Sequence, residues 1–547
     1  MADASARGFE AEPLKGGETE GSVSKEKGCA GKLGFSRMTG WRTAAFLLSL
    51  FVCLVVVFAF SFILPCPVRP QYRPSWNHTF PTAATYNFLA VEDANGDKVL
   101  DVFLMYKDAD ERRNTCLSQD LSIPCMVLTA LDGTDGKTLW KRPLAAEFDW
   151  VECGVKGLGS KGSGCLVAHA DNLTAIDKKS GEIMWQQSRS SVMDGNLPLI
   201  SVMDLNADGA EDLAVLSYNP EASPFTPIPT VLVFFSGKSG DQIGSRVDVD
   251  VNGLFGHLPF KTASGAPYLL LLTDSGLYAV CVQHLAERAG LKSALKKETS
   301  WEERSDGQTG LISLYQSDSL RRVSVVHGSG SPSLLVQTDS SVSLLLTDKL
   351  KMAWTTNTSA LLSVPTFGQF DKDGIPDIMI EEDIGNDTKR VLVLSGHSGH
   401  VLWKLNLSFW TPSPRPASVL TLNAFSVFML WGQGHSNQTM QSSFLLHPRH
   451  SQLLLERRNS AQNIVSFKAT LLEQGRHACY LVLTGPDGRQ HAELGETEPV
   501  ILTKRKIKDD VSESGVLGVA ADEPISEDME KSAKEAFHML RFSDALY

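Results

Sequence analysis

The sequence predicts an all-β protein, a seven- or eight-bladed β-propeller that follows one N-terminal transmembrane helix. Three observations support this. A long uncharged stretch lies near the N-terminus. The rest of the chain consists of many short apolar runs of strand length, separated by Gly, Asp, Asn and Ser. Two unrelated motifs recur in it with a common period of about 55 residues, which is typical of a repeat architecture.

The transmembrane helix is predicted at residues 43–64, which contain no charged side chain. At 1.5 Å per residue this segment spans about 33 Å, enough to cross a hydrocarbon core of about 30 Å. A buried core helix and a cleaved signal peptide are the alternatives. The signal peptide is disfavoured because the apolar stretch is long and follows 42 other residues.

The charges that flank this segment predict its orientation. Five basic residues lie in the 20 positions before it: Lys25, Lys27, Lys32, Arg37 and Arg42. Only Arg69 and Arg73 lie in the 20 positions after it. The positive-inside rule therefore places the N-terminus in the cytosol and residues 65–547 outside the cell or in a lumen.

Glycosylation sequons and cysteines agree with that orientation, because both concentrate after the segment. The six sequons begin at Asn77, Asn172, Asn357, Asn386, Asn406 and Asn437. Seven of the nine cysteines also follow it, on the side where disulfides form. Two close pairs are predicted to form local disulfides, Cys116 with Cys125 and Cys153 with Cys165. The pairing of Cys66, Cys281 and Cys479 stays open.

Composition divides the chain into further segments. Gly, Ser, Lys and Glu dominate the start, which predicts a disordered cytosolic tail. Five prolines after the helix predict a short stiff stalk. A polar, acidic C-terminal tail contains a possible short helix that begins at Ser526. The predicted boundaries are 1–42 for the N-terminal tail, 65–81 for the stalk, 82–504 for the propeller and 505–547 for the C-terminal tail.

The first repeated motif has an apolar residue, then Asp or Ser, a glycine four positions later and a tryptophan after four more. Its copies contain Gly136 and Trp140, Gly181 and Trp185, and Gly399 and Trp403; a degenerate copy contains Gly240. Each copy reads as strand, tight turn and strand, with glycine at a turn position that requires positive φ. We expect the tryptophans to pack on the neighbouring unit. The motif is similar to the blade hairpin of quinoprotein-like propellers.

The second motif is an acidic loop that precedes a strand. Oxygen ligands spaced at i, i+2, i+4 and i+8, with a backbone carbonyl at i+6, suit Ca²⁺. The predicted ligands are Asp93, Asn95, Asp97, Val99 and Asp101; Asp204, Asn206, Asp208, Ala210 and Asp212; and Asp371, Asp373 and Asp377. The alternative is a set of Asx turns without metal. Gln369 replaces the first carboxylate of the third loop.

These acidic loops resemble the FG-GAP repeats of integrin α-chains, where such loops bind calcium structurally on a propeller. The whole chain resembles the single-pass membrane proteins of the family with sequence similarity 234, member A type. The residues that carry this likeness are 44–67, 90–106 and 481–487. The resemblance implies a type II glycosylated surface protein without an assigned catalytic activity. The third acidic loop departs from the repeat pattern.

The predicted function is a non-catalytic module that binds protein partners through its propeller loops, stabilised by calcium, at the cell surface or in a membrane of the secretory pathway. The alternatives are a propeller enzyme, either a quinoprotein-type oxidoreductase or a metal-dependent hydrolase, and a lumenal chaperone or stress sensor. The net charge of −12 argues against a nucleic-acid partner.

Overall fold

The computed structural model describes most of the chain after the N-terminal tail. The described residues are 40–63, 73–109, 115–144, 147–158, 162–169, 172–188, 200–218, 230–292, 294–328, 330–410, 413–434, 441–459, 463–472, 477–488, 499–519 and 525–543. Most of the predicted cytosolic tail, the first part of the stalk and Asn437 lie outside them. The chain divides into two units, 1–69 and 70–547.

The first unit contains one helix, α1 (Gly40–Ile63). Its 24 residues and a mean hydropathy of 2.2 over residues 40–58 make it long and apolar enough to cross a membrane. The sequence predicted this helix at 43–64, so the structure begins it three residues earlier. The prediction of one N-terminal apolar helix is confirmed.

The second unit is an eight-bladed β-propeller, which confirms the predicted fold and selects the larger of the two predicted blade counts. The chain enters it at β1 (Trp76–Phe80). Blade 1 is β2 (Ala83–Glu92), β3 (Asp101–Asp108), β4 (Cys125–Leu131) and β5 (Thr138–Leu144). Blade 2 is β6 (Phe148–Lys156), β7 (Ser163–His169), β8 (Asn172–Asp177) and β9 (Ile183–Ser188). Blade 3 is β10 (Ile200–Val202), β11 (Asp212–Tyr218), β12 (Thr230–Phe235) and β13 (Gln242–Val249).

Blade 4 is interrupted by two short helices between its third and fourth strands. It comprises β14 (Leu254–Lys261), β15 (Pro267–Thr273), β16 (Gly276–Cys281), α2 (Val282–Arg288), α3 (Thr299–Glu302) and β17 (Leu311–Gln316). Blade 5 is β18 (Leu320–Val326), β19 (Ser333–Thr338), β20 (Ser341–Leu346) and β21 (Lys351–Asn357). Blade 6 is β22 (Thr366–Gly368), β23 (Asp377–Asp383), β24 (Thr388–Leu394) and β25 (Val401–Ser408).

The last two blades contain the C-terminal strands. Blade 7 is β26 (Ala417–Leu420), β27 (Ser426–Gln433), β28 (Gln441–Leu446) and β29 (Leu453–Arg458). Blade 8 begins with β30 (Ile464–Thr470), β31 (Cys479–Thr484) and β32 (Val500–Lys506). The chain continues through α4 (Ile507–Glu513), β33 (Gly515–Gly518) and α5 (Glu527–His538).

The first strands of neighbouring blades contact one another around the ring, as β2 does with β6 and β30, and β26 does with β22 and β30. They therefore surround the central channel. Because strands within a blade alternate in direction, the loops from first to second strand and from third to fourth strand lie on one face of the ring. We call this the upper face, and the other the lower face.

The ring is closed by β1, which pairs with β32 as the fourth strand of blade 8, from Trp76 opposite Lys504 to Phe80 opposite Val500. The predicted stalk at 65–81 therefore contains the first strand of the propeller, which begins at Trp76 and not at residue 82. Trp76 and Phe80 are buried while Asn77 and Thr79 are exposed. This alternation is the strand signal that the prolines on either side obscured.

The predicted acidic tail at 505–547 is also part of the folded unit where it is described. β33 pairs with β29 as a fifth strand of blade 7. The predicted helix is α5, capped by Ser526, whose hydroxyl accepts a hydrogen bond from the Met529 amide at 3.3 Å. Phe537 and Phe542 are buried against blades 7 and 8, so the apolar stripe of the tail docks on the propeller.

Six tryptophans connect blades in the same way. Each donates its indole N–H to a backbone carbonyl in the next blade, and we call this contact a tryptophan junction. The pairs are Trp76 with Gly133 (3.2 Å), Trp140 with Lys178 (2.8 Å), Trp185 with Gly237 (2.9 Å), Trp301 with Thr347 (2.9 Å), Trp354 with Gly396 (3.0 Å) and Trp403 with Ser451 (2.8 Å). Trp140, Trp185 and Trp403 are each the third residue of a fourth strand. Their equivalence confirms the prediction that they pack on the neighbouring unit.

Glycine is required where these indoles meet the next turn. Gly181 has φ of +69°, and a Cβ atom added there would lie 2.5 Å from the Trp140 ring. Gly240 has φ of +76°, and its Cβ would lie 2.4 Å from Trp185. Only glycine satisfies both the backbone conformation and the close approach.

Two junctions of the ring use other contacts. Between blades 3 and 4, Gly244 stands where the motif has tryptophan, and the Ser245 amide donates to the Ala289 carbonyl at 2.9 Å. Between blades 7 and 8, Arg457 of β29 forms a buried ion pair with Asp510 of α4, which also accepts the Tyr480 hydroxyl. The insertion of blade 4 and the C-terminal segment thus complete the ring.

Replacing Gly181 by alanine should destabilise the propeller more than the same change at Gly265. Gly265 has a similar φ of +82° with no atom within 4 Å of an added Cβ, so it carries the backbone strain alone, about 1–2 kcal/mol. At Gly181 the clash with Trp140 adds about 1–3 kcal/mol. Chemical denaturation of the two variants measures the difference, and equal losses would contradict the tryptophan junction.

Candidate metal centre

The three acidic loops occupy equivalent positions, since each joins the first strand of a blade to its second strand. They lie between β2 and β3, between β10 and β11, and between β22 and β23. All three are therefore on the upper face, in blades 1, 3 and 6. The sequence motif thus marks one structural position of the blade.

The last aspartate of each loop is buried at the start of the second strand, and one oxygen accepts the first amides of its own loop. Asp101 Oδ2 accepts from the Ala94 and Asn95 amides at 2.9 and 3.2 Å. Asp212 Oδ2 accepts from Leu205 and Asn206 at 2.6 and 3.3 Å. Asp377 Oδ2 accepts from Phe370 and Asp371 at 2.6 and 3.2 Å. Each of these carboxylates therefore holds its loop closed.

The other oxygen of this aspartate connects the loop to the hairpin motif of the same blade. Asp101 Oδ1 accepts the Gly133 amide and Asp377 Oδ1 accepts the Gly396 amide, both at 3.0 Å. An added Cβ at Gly133 or Gly396 would lie 2.0 or 2.2 Å from a carbonyl of the acidic loop. Burial raises the pKa of Asp101 and of Asp377 to about 6, although these amide donors oppose the shift.

The loop of blade 3 differs at this oxygen. Asp212 Oδ1 is buried and has no hydrogen-bond partner within the described part of the chain. Burial raises the pKa of Asp212. The Gly237 amide acts in the opposite direction, but it does not meet the geometry of a hydrogen bond to this oxygen. This loop therefore leaves one buried carboxylate oxygen unsatisfied, which is costly without a ligand.

Asp204, Asp208 and Asp212 each place a carboxylate oxygen within 4.8 Å of the others. Asn206 lies between them in the loop, and its side-chain amide donates to Asp208 Oδ2 at 3.0 Å. Three carboxylates and one amide oxygen are the donor set of a hard divalent cation such as Ca²⁺. The donor chemistry and the unsatisfied oxygen of Asp212 both fit a metal ion in this loop.

The carboxylates of the same loop also accept hydrogen bonds from the loop's own backbone amides, in Asx turns. Asp204 accepts the Asp208 amide at 3.2 Å and the Gly209 amide at 2.9 Å. Asp208 Oδ1 accepts the amide of Ala210, the predicted carbonyl ligand, at 3.0 Å. These turns hold the loop closed and keep the three carboxylates close together.

The other two loops do not bring three carboxylates to this distance among the described residues. In the first loop, Asp93 accepts the Gly96 and Lys98 amides at 2.6 and 3.0 Å. Its predicted carbonyl ligand, Val99, donates its amide to Asp97. In the third loop, Asp371 and Asp373 accept backbone amides, and Gln369 stands in place of the first carboxylate. The calcium ligands predicted in these two loops therefore stay a prediction.

Two residues of the centre belong to the neighbouring hairpin and were not predicted as part of it. The Ser236 hydroxyl donates to Asp208 Oδ2 at 2.7 Å, and Lys238 Nζ donates to the Asp208 carbonyl at 3.2 Å. With the Asn206 amide, these contacts lower the pKa of Asp208 although burial opposes the shift. Ser236 belongs to the degenerate hairpin copy, and the common period of the two motifs was the only signal that could have joined them.

The remaining predicted sites lie away from this centre. The structure pairs Cys116 with Cys125 and Cys153 with Cys165 in disulfides, as predicted. The first closes the lower-face connection between β3 and β4, and the second joins β6 to β7. Four of the described sequon asparagines are exposed: Asn77, Asn357, Asn386 and Asn406. The fifth, Asn172, is half-buried.

Residues 76–543 match the family model described as FAM234A/B beta-propeller. The chain is 32% identical over 524 residues to protein FAM234A of Homo sapiens, covering 93% of this chain and 92% of that protein. It is 27% identical over 521 residues to protein FAM234B of Homo sapiens, covering 90% of this chain and 80% of that protein. The family resemblance drawn from the sequence is confirmed.

Solved structures are more distant. An exotype rhamnogalacturonan lyase aligns with a TM-score of 0.44 at 12% identity, covering 80% of this chain and 73% of its own.

Replacing Asp377 by alanine should cost much more stability than replacing Asp373. The first change leaves the buried Gly396 amide and the partly buried amides of Phe370 and Asp371 without an acceptor, at a cost of about 3 kcal/mol or more. Among the described residues, exposed Asp373 accepts the Ile375 amide alone, so its loss costs about 1 kcal/mol. Denaturation in a chelator measures both, and similar losses would show that Asp377 does not hold the loop.

Proposed function

The chain belongs to the FAM234A/B beta-propeller family, and on that basis we propose that it is a type II membrane glycoprotein whose propeller binds protein partners without catalysing a reaction. α1 anchors the chain, with the N-terminus in the cytosol and the propeller outside the cell or in a lumen of the secretory pathway. The Asp204 loop holds a structural calcium ion.

Three features support this orientation. Basic residues are more frequent before α1 than after it, as the positive-inside rule requires for a cytosolic N-terminus. Disulfides in blades 1 and 2 need an oxidising compartment. Asn77, Asn357 and Asn406 lie exposed on the outermost strands of three blades.

The calcium proposal rests on the second acidic loop. Asp204, Asn206, Asp208 and Asp212 would hold the ion, which would neutralise three carboxylates and supply a partner for Asp212 Oδ1. An ion that binds only the folded state stabilises it by mass action, by about 2.7 kcal/mol at 100 times the Kd. Its role is structural, since it would hold the loop that leads into β11.

Replacing Asp208 by alanine should remove most of the stabilisation by calcium, because it deletes one of three clustered carboxylates. The measurement is the melting temperature of the full-length protein in detergent, in calcium and in chelator. Asp373→Ala is the matched control at the equivalent position of blade 6, and it should leave the calcium shift unchanged. An unchanged shift in Asp208→Ala, or none in the unaltered protein, would identify the loop as a metal-free Asx turn.

One observation carries the proposed binding role: large apolar side chains are exposed on the upper face beside this loop. Met203 immediately precedes Asp204 and is 46% exposed, and Ile183 at the start of β9 in the neighbouring blade is 44% exposed. Loops held on a rigid scaffold are where binding residues concentrate. Calcium in the Asp204 loop would fix Met203 in position, so metal and partner binding would be coupled.

The test is proximity labelling of the full-length protein on intact cells by a reagent that does not cross membranes. The unaltered protein should label a reproducible set of surface proteins, and Ile183→Asp with Met203→Asp should lose part of that set. Leu402→Asp, at a 38% exposed position on β25 of blade 6, is the control. No labelling would refute the orientation, and an identical set from both variants would refute this binding face.

A further inference from the structure

Three basic side chains belong to segments that surround the central channel on one side of the ring. Arg322 is the third residue of β18, the first strand of blade 5. Lys468 is the fifth residue of β30, the first strand of blade 8. Arg415 lies two residues before β26, the first strand of blade 7. The ring brings them together, although they are far apart in sequence.

These groups are enclosed by protein and yet reached by solvent. Arg322 and Arg415 are exposed and Lys468 is half-buried, while the surrounding protein atoms desolvate Arg322 and Lys468 enough to lower their pKa values. That combination is expected at the wall of a water-filled channel. Solvent exposure therefore does not place these side chains on the outer surface of the propeller.

The three cations repel one another without an internal counter-ion. After burial, the charge of Arg415 is the second cause that lowers the pKa of Arg322, and it acts in the same way on Lys468. Within the described residues none of the three forms an ion pair or hydrogen bond. By contrast, the adjacent Arg321 is paired with Asp339, with Nη2 at 3.0 Å from Oδ2.

Two acidic residues, Asp149 and Glu152, lie on the first strand of blade 2, and Glu152 does not neutralise this cluster. Burial raises the pKa of Glu152 to about 7, and no cation contributes to lowering it. Among the described residues its carboxylate forms no ion pair with any of the three basic groups. Three unpaired cations in the channel destabilise the fold by their mutual repulsion unless an anion binds between them.

We propose that Arg322, Arg415 and Lys468 form a binding site in the central channel for a small multivalent anion with phosphate, sulfate or carboxylate groups. Two guanidinium groups offer forked donors that match the paired oxygens of these groups, and the lysine adds a point charge. The first strands that enclose the channel favour a small molecule over a folded partner. This site is separate from the protein-binding face proposed above and does not depend on it.

The experiment titrates inorganic phosphate, sulfate and citrate into the full-length protein in detergent, against chloride at constant ionic strength, by calorimetry and thermal melting. At least one of the three anions should bind and raise the melting temperature. Arg415→Gln should weaken that binding by about tenfold or more. The same variant without added anion should melt at a higher temperature than the unaltered protein, because a repelling charge is gone.

Arg321→Gln is the matched control, since it removes a basic side chain from the same strand at a position paired outside the cluster. It should bind the anion as the unaltered protein does. The ranking of phosphate, sulfate and citrate identifies the chemical class of the ligand. No binding of any anion, equal binding by Arg415→Gln, or equal weakening by Arg321→Gln would overturn the proposal.

Discussion

The ring depends on a tryptophan of one blade that meets the turn of the next. The indole N–H satisfies a carbonyl in that turn, and the ring of the indole occupies the space that a side chain would need. The turn position therefore requires glycine for two reasons: its φ is positive, and the neighbouring indole leaves no room for a side chain. Where the indole is missing, an insertion or a terminal segment supplies the contact, as α2 does beside Gly244. These contacts set the spacing at which neighbouring blades bury their faces against each other.

The same contacts link the frame of the propeller to its candidate metal centre. Gly237 accepts the indole N–H of Trp185 through its carbonyl, and its amide faces the carboxylate of Asp212. Gly237 thus belongs both to the tryptophan junction between blades 2 and 3 and to the surroundings of the acidic loop of blade 3. In blades 1 and 6 the equivalent glycine amide is bonded to the aspartate, whereas among the described residues Asp212 of blade 3 keeps one buried oxygen without a hydrogen-bond partner.

Much of the fold could be predicted because both motifs are local. A turn that requires positive φ selects glycine, and an Asx loop selects aspartate at fixed spacing, so each motif reports one position of a blade. Trp354 was missed because Leu350 stands where the motif has its turn glycine, and Trp301 because it lies on α3 and not on a strand. The strand β1 was missed because its partner, β32, is more than 400 residues away. The acidic loops differ in whether a glycine amide from another hairpin bonds their last aspartate. The spacing of residues within one loop contains no information about that amide.

β1 closes the ring by pairing with β32 of blade 8 and by the contact of Trp76 with blade 1, and amide hydrogen exchange of the full-length protein tests this closure directly. The amides of β1 that bond to β32 should exchange as slowly as those of β31, through unfolding of the whole propeller. The fifth strand β33, which lies at the edge of blade 7, should exchange faster. Exchange of β1 at the rate of β33, well ahead of β31, would mean that residues 76–80 are a stalk and that the ring closes in another way.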